Sequence, residues 1–260
     1  MALSIAGSDP TGGGGLQADL QVFRVFGVHG AGVVTGLTVQ DTERVHQVLP
    51  AFPNVVLDQL RTLLRDVSPD AVKIGMLGTD DVARSVELGL RELDPLRRVP
   101  IVIDPLLAAS DGTCLLERRG WGKLQDLIGR CSLVTPNLEE AACLTGCDVS
   151  TREGVEASAS ALVGLGANAA LVKGGHRDGP PDDLLALREG GSASFHWLPG
   201  ERISVGPVRG TGCALASAIA ARLALGDGIP AAVEAGRRFV AAALASSDAR
   251  GKGARFLNYP

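Results

Sequence analysis

The feature that most constrains this chain is a rhythm that runs nearly from end to end. Short β-branched and aliphatic runs alternate with longer amphipathic stretches. Residues 2–6, 32–38, 71–74, 101–103, 133–135 and 169–172 have strand composition. Residues 16–26, 53–64, 79–93, 138–144 and 151–165 carry apolar positions at helical spacing between them. Strand, helix, strand in repetition is the pattern of a mostly parallel sheet covered by helices on both faces. The chain is therefore expected to be α/β, with a three-layer arrangement. Residues 45–49 are expected as a short edge strand, and 184–187 with 194–198 as a hairpin across Glu189-Gly190-Gly191. A last strand is expected near 203–205, and two helices, 213–225 and 230–246, close the chain. Residues 178–181 read as a polar turn. No linker and no repeat of about 20–50 residues interrupts the 260 residues, so they are read as one domain.

Composition narrows the function classes. The formal net charge is −4, no basic block occurs, and aromatics are only 3%, which argues against a nucleic-acid partner. No apolar run reaches the roughly 20 residues of a membrane span. The first residues lack the basic flank and apolar length of a signal peptide. Five cysteines, odd in number and scattered, do not form a disulfide framework. These features lead to the expectation of a cytoplasmic protein. Cys143 and Cys147, four apart, are read as core packing rather than metal ligands, and the histidines receive no role.

In open α/β sheets, ligands bind beyond the carboxyl ends of the strands. The unusual residues of this chain sit at those ends. Gly7 to Gly15 (GSDPTGGGG) follows the first strand. Gly7 and Gly12 have the spacing of a Walker phosphate loop, but Gly13 stands where the lysine is required, so that reading fails. The glycines still suit a close approach of backbone to a flat or anionic group, with a flexible turn as the alternative.

Gly210-Thr211-Gly212-Cys213 opens a long Ala-rich helix. Its free N–H groups and the helix dipole make an anion hole for a phosphate. The dipole is expected to lower the thiol pKa of Cys213 and let it accept a proton; a small packing residue is the equal alternative. Asp104, Asn137 and Glu140 offer hard oxygens suited to water-mediated Mg²⁺. Asn137 and Glu140 also fit a capping box, and the two roles are compatible. Lys173, at a strand end before two glycines, suits a phosphate contact or is an exposed lysine without a role.

With these residues in place, the chain resembles the bacterial hydroxymethylpyrimidine/phosphomethylpyrimidine kinases, of the ribokinase-like superfamily. The resemblance is carried, in order, by residues 2–19 (ALSIAGSDPTGGGGLQAD), 38–42 (TVQDT), 72–77 (VKIGML), 135–141 (TPNLEEA), 172–176 (VKGGH), 210–213 (GTGC) and 251–253 (GKG). It implies a ribokinase-like fold and a homodimer. It implies ATP-dependent phosphorylation of the hydroxymethyl group of an aminopyrimidine, and of its monophosphate, in thiamine biosynthesis. It implies a pyrimidine among Gly7, Asp19, Gln40, Met76 and Leu106, and ATP with Mg²⁺ near Asp104, Asn137, Glu140 and Lys173. Asp104 and Glu140 would act on the metal through water, and Cys213 stands where most ribokinase-like enzymes carry an aspartate base. Gln40 has both a donor and an acceptor for an aminopyrimidine edge.

The chain departs from the family pattern in three places. Ser110 stands where the family often has lysine, Arg209 where it has histidine and Ala214 where threonine is common. The first removes a phosphate contact, and Arg209 can replace some of that charge. Two other readings are weighed: a pyridoxal kinase on the same scaffold, and a non-catalytic pyrimidine-binding regulator that has lost turnover through those three changes.

Overall fold

The computed structural model describes residues 1–93, 99–175 and 180–259. Nine strands join in one sheet: β1 (Ala2–Ser8), β2 (Gly30–Gln40), β3 (Val45–Pro50), β4 (Ala71–Ile74), β5 (Ile101–Ile103), β6 (Leu133–Val134), β7 (Ala169–Val172), β8 (Asp183–Glu189) and β9 (Ser192–Leu198). The order across the sheet is β3-β2-β1-β4-β5-β6-β7-β8-β9. From β2 to β7 every neighbouring pair is parallel; β3, β8 and β9 are added antiparallel at the edges. The short central strands can be nearly all apolar because helices cover both of their faces.

The helices are α1 (Gly15–Val25), α2 (Pro53–Asp66), α3 (Asp80–Leu93), α4 (Trp121–Ile128), α5 (Leu138–Thr145), α6 (Arg152–Leu165), α7 (Thr211–Ala224) and α8 (Ile229–Ala245). Side-chain alternation along each strand assigns the two layers. Leu3, Ile5, Val72, Ile74, Ile101 and Ile103 point to the face packed by α2 through α6. Ala2, Ala71, Val102, Leu133 and Leu171 point to the face packed by α1, α7 and α8. Ser4 and Lys73 fall on this second side by the same alternation. They are cross-strand partners in the β1–β4 register. No helix among the described residues is long and apolar enough to cross a membrane.

Residues 203–205 do not form the expected strand. The five residues between Pro199-Gly200 and Gly206-Pro207 stay outside the sheet, and the Val205 N–H turns back to the Ile203 carbonyl at 3.0 Å. This short apolar run, flanked by Gly and Pro on both sides, joins no strand of the sheet. Cys143 and Cys147 are not core residues either, since the first is exposed and the second half-buried. Helix α4 escaped the sequence reading. It is eight residues long and starts from Gly120 with no side-chain cap. His176 and residues 178–179 of the expected polar turn lie outside the described residues.

Candidate active site

The loops at the carboxyl ends of β1, β5 and β7 meet the amino end of α7. The glycine-rich loop is held rather than free. The Asp9 Oδ1 accepts from the Thr11 N–H and hydroxyl, both at 2.8 Å. The Gly12 N–H donates to the Asp9 carbonyl at 3.0 Å, and the Gln17 side chain bonds back to Ser8 and Asp9. This loop packs straight against the start of α7. Gly210, the residue before the helix, has φ +80°, and a Cβ there would lie 1.8 Å from the Gly13 carbonyl. Only glycine can take that backbone angle at that distance. No side chain caps the helix, so the first-turn amides of α7 keep their donors for a ligand.

Facing those amides is a buried charge cluster. Asp104 follows β5 and is fully buried. Its Oδ1 accepts from the Lys173 Nζ at 3.0 Å and the Thr135 hydroxyl at 3.4 Å. Its Oδ2 is buried without a hydrogen-bond partner among the described residues. A Cβ on Gly212 would lie 3.2 Å from the Lys173 Nζ and 3.4 Å from Asp104 Oδ2, so the α7 backbone closes on this pair. An unpartnered carboxylate oxygen in such a place is costly unless a cation or donor joins it. Glu140 completes the cluster. Asn137 and Glu140 form the expected capping box of α5, with both hydrogen bonds at 2.8 Å. Burial, against the pull of Lys173 and with the push of Asp104, raises the Glu140 carboxyl to about 7. For Lys173, burial opposes the charge, but Asp104 and Glu140 outweigh it and raise the ammonium above its ordinary value.

Cys213 is buried in the first turn of α7. Burial pushes its thiol up to about 11, against the pull of the nearby Lys73. This runs against the expectation of a thiol acidified by the helix dipole: desolvation of the thiolate raises it, and the nearby Asp104 and Asp19 carboxylates add to the rise. The thiol holds its proton at neutral pH.

Asp19 also differs from the position implied for it, as a pyrimidine contact. Its carboxylate is fully buried in α1. It accepts from the Lys73 Nζ at 2.8 and 2.9 Å, from the Ser4 hydroxyl at 2.6 Å and from the Ser217 hydroxyl at 2.7 Å. Both oxygens are occupied and neither faces solvent. Lys73, Ser4 and Ser217 received no role from the sequence. The available signal was a lysine inside the otherwise apolar strand AVKI, since a buried ammonium requires a carboxylate nearby.

Gly7 and Met76 do meet. The Met76 methyl lies so close that a Cβ on Gly7 would sit 2.3 Å from it, and Gly36, the β2 partner of Gly7, lies under the same methyl. The Thr35 hydroxyl donates to the Met76 carbonyl. Leu106 is half-buried in the turn after Asp104. Gln40 is half-buried at the end of β2. The next residue, Asp41, accepts from the Arg209 Nη1 through its carbonyl at 3.1 Å. Gln40 and the α7 entrance therefore share one rim of the molecule. Arg209 also faces the Asp111 carboxylate at 3.8 Å, and Asp111 accepts from the Val45 N–H at 2.6 Å. Ser110 is exposed beside it, and Ala214 is buried behind Cys213.

Comparison with known proteins identifies relatives of the chain as a whole. The family model described as phosphomethylpyrimidine kinase matches residues 9–258. The chain is 34% identical to the hydroxymethylpyrimidine/phosphomethylpyrimidine kinase of Aquifex aeolicus, over the full length of both. It is 39% identical to the enzyme of that name from Rhizobium meliloti, covering 95% of this chain and 91% of the other. It also matches the thiamine biosynthesis bifunctional protein ThiED of Geobacter sulfurreducens at 38% identity, spanning 51% of that longer protein. Among solved structures it is similar to the ADP complex of Bacillus subtilis pyridoxal kinase, with a TM-score of 0.88 at 29% identity, covering 99% of this chain and 96% of that one. The phosphomethylpyrimidine kinase of Clostridium difficile matches with a TM-score of 0.82 at 32% identity, covering 94% and 98%. The expected ribokinase-like architecture is thereby borne out, and the chain belongs to the phosphomethylpyrimidine kinase family.

Proposed function

We propose that the chain transfers the γ-phosphoryl group of ATP to the hydroxymethyl oxygen of 4-amino-5-hydroxymethyl-2-methylpyrimidine, and then to the phosphate of the product, as steps of thiamine biosynthesis. The observation that carries this reading is the closure of the uncapped α7 amides on the Asp104–Lys173 pair, with Asp104 Oδ2 left without a partner. That arrangement suits a transferring phosphoryl group. Backbone donors and an ammonium meet its oxygens, and a carboxylate stands ready for its counterion.

Mg²⁺ fits the buried, unpartnered oxygen of Asp104. Asp104 and Glu140 would hold it through water, and when bound it supplies neutralisation of phosphate charge. No group of three or more metal-ligating side chains occurs among the described residues, which agrees with a metal carried mainly by nucleotide phosphates. In the transfer the substrate oxygen bonds to phosphorus, the bond to the ADP oxygen breaks and the hydroxyl proton passes to an oxygen of the transferred phosphoryl group. A loose transition state asks little activation of the nucleophile. The Cys213 thiol, still protonated at neutral pH, has no site for that proton and serves instead as a neutral hydrogen-bond donor beside the reacting oxygen. Lys173 contacts the moving group, Gly210, Thr211 and Gly212 supply the amides, and Gly7, Met76, Leu106 and Gln40 hold the ring. Asn137 fixes Glu140 through the capping box.

A homodimer is part of the proposal. Its support is an apolar patch on adjoining elements: Leu37 and Val39 on β2, Leu49 opposite Leu37 on β3, Val55 on α2, and Phe52 at 78% exposure.

The second reading, a pyridoxal kinase, is favoured by the likeness to the Bacillus subtilis enzyme. ADP release with the hydroxymethylpyrimidine, its monophosphate and pyridoxal, measured side by side, separates the two. The proposal expects turnover with both pyrimidines in excess of that with pyridoxal. Turnover confined to pyridoxal contradicts it, and no ADP release with any alcohol favours a binding or regulatory role.

A further inference from the structure

The Asp19 carboxylate, which has no free oxygen for substrate, gathers four elements at one point. Ser4 comes from β1, Lys73 from β4, Asp19 from α1 and Ser217 from α7. The Lys73 and Asp19 side chains are both at 0% exposure, in the face of the sheet that otherwise packs Ala2, Ala71 and Val102 against α1 and α7. Ser4 and Lys73 are register partners, so the strand pairing itself sets the two donors side by side beneath Asp19.

Ser217 lies one helical turn beyond Cys213, on the same side of α7. Its hydrogen bond to Asp19, at 2.7 Å, therefore fixes the depth and rotation of the turn that carries Cys213 and the anion-binding amides. On the other side, the glycine-rich loop leads directly into α1 and so into Asp19. Its Gly13 carbonyl meets Gly210 in the close approach described above. One buried ion pair is thus mechanically connected to both walls of the phosphoryl site.

A structural role alone is a poor explanation for the pair. Replacing a buried ion pair by apolar groups of similar volume is often neutral or stabilising, so such a pair is weak support for a stability function. Its directional bonds do specify geometry. The lysine is also a cationic side chain close enough to Cys213 to act on its thiol, and its charge is maintained there. Burial opposes that charge, but the Asp19 carboxylate outweighs it, with further help from Asp104, and holds the ammonium above its ordinary value.

We infer that Asp19, Lys73 and Ser217 are positioning residues for the transfer, setting the first turn of α7 against Asp104 and Lys173 without touching either substrate. This rests on the kinase reading above. Displacement of reacting groups by about 1 Å can cost on the order of 10²-fold in rate even when binding is kept.

The test uses the double variant Asp19→Asn/Lys73→Met, which removes both charges together so that neither remains buried alone, and the milder Ser217→Ala and Ser217→Cys. Folding is followed by circular dichroism and melting, and kcat and KM by ADP release. The double variant is expected to lose roughly 10²-fold in kcat, with both KM values within about twofold of the parent's. Ser217→Ala should shift in the same direction by about tenfold, and Ser217→Cys, with its weak donor, should fall between Ala and the parent. If the double variant fails to fold, the two Ser217 variants decide. Folded variants with the kcat of the parent overturn the inference, as does a loss that appears only in KM or only in melting temperature. A parent that releases no ADP with any alcohol overturns the kinase reading and this one with it. An active parent with equally active variants overturns this inference alone.

Discussion

Within the buried centre, Lys73 is committed to Asp19, and Lys173 is left to serve both Asp104 and Glu140. Burial, with the push of Asp104 and only partly offset by the pull of Lys173, is why Glu140 retains its proton up to about 7. The consequence for stability has a definite sign. A carboxyl near 7 in the fold and near 4.5 when unfolded binds more protons in the folded state between those values. The metal-free protein should therefore lose stability as pH rises from about 4.5 to about 7. Glu140→Gln should flatten that slope in urea midpoints taken across the window, and an unchanged slope would remove Glu140 as its source.

At Cys213 the raised thiol changes what a substitution should do. Cys213→Ala should lower kcat while leaving pyrimidine affinity nearly intact, and the loss should not exceed that from deleting an amide donor. A fully active Cys213→Ala enzyme would leave the thiol with no part in the transfer. Residue-scale legibility was uneven. Asn137 and Glu140 could be paired from their spacing of three, because a capping box is local. Asp19 and Lys73 could not be paired, being 54 residues apart and joined only by the fold.

Among the elements, those with local signals were readable and those defined by distant partners were not. Helix α6 starts at the expected Thr151, whose hydroxyl accepts from the Gly154 N–H at 3.1 Å. Helix α2 begins with the expected Pro53 in its first turn. Helix α4 has neither device, and it follows a small irregular hairpin with a bridge between Ala108 and Cys114. Residues 203–205 look like strand locally, yet pairing depends on an edge the local sequence does not contain. For α5 the cap is testable. Asn137→Ala should cost about 1 kcal/mol in chemical denaturation. It should also impair turnover, because the Asn137 amide that fixes Glu140 would no longer be held. A stability loss with parent-like activity would separate the cap from the site.

Across the whole molecule, parallel strand order was legible from the strand–helix rhythm, and site location followed from it, since loops at carboxyl ends of such a sheet converge. The antiparallel additions at both edges leave β3 as a margin lined by Leu49, with Leu37 and Phe52 beside it. If this patch is the dimer face, Phe52→Asp should shift the molar mass from dimer to monomer in light scattering. A dimer unaffected by the charge would place the interface elsewhere. The amino end of α7 is where this architecture brings the sheet ends, the glycine loop and the charged cluster together. The most direct measurement of that account is made on Gly212→Ala, which places a methyl against Lys173 and Asp104. Turnover by ADP release is compared with pyrimidine affinity by calorimetry. The account predicts a fall in kcat of about 10²–10³-fold with affinity for the pyrimidine nearly unchanged; turnover equal to the parent's would contradict it.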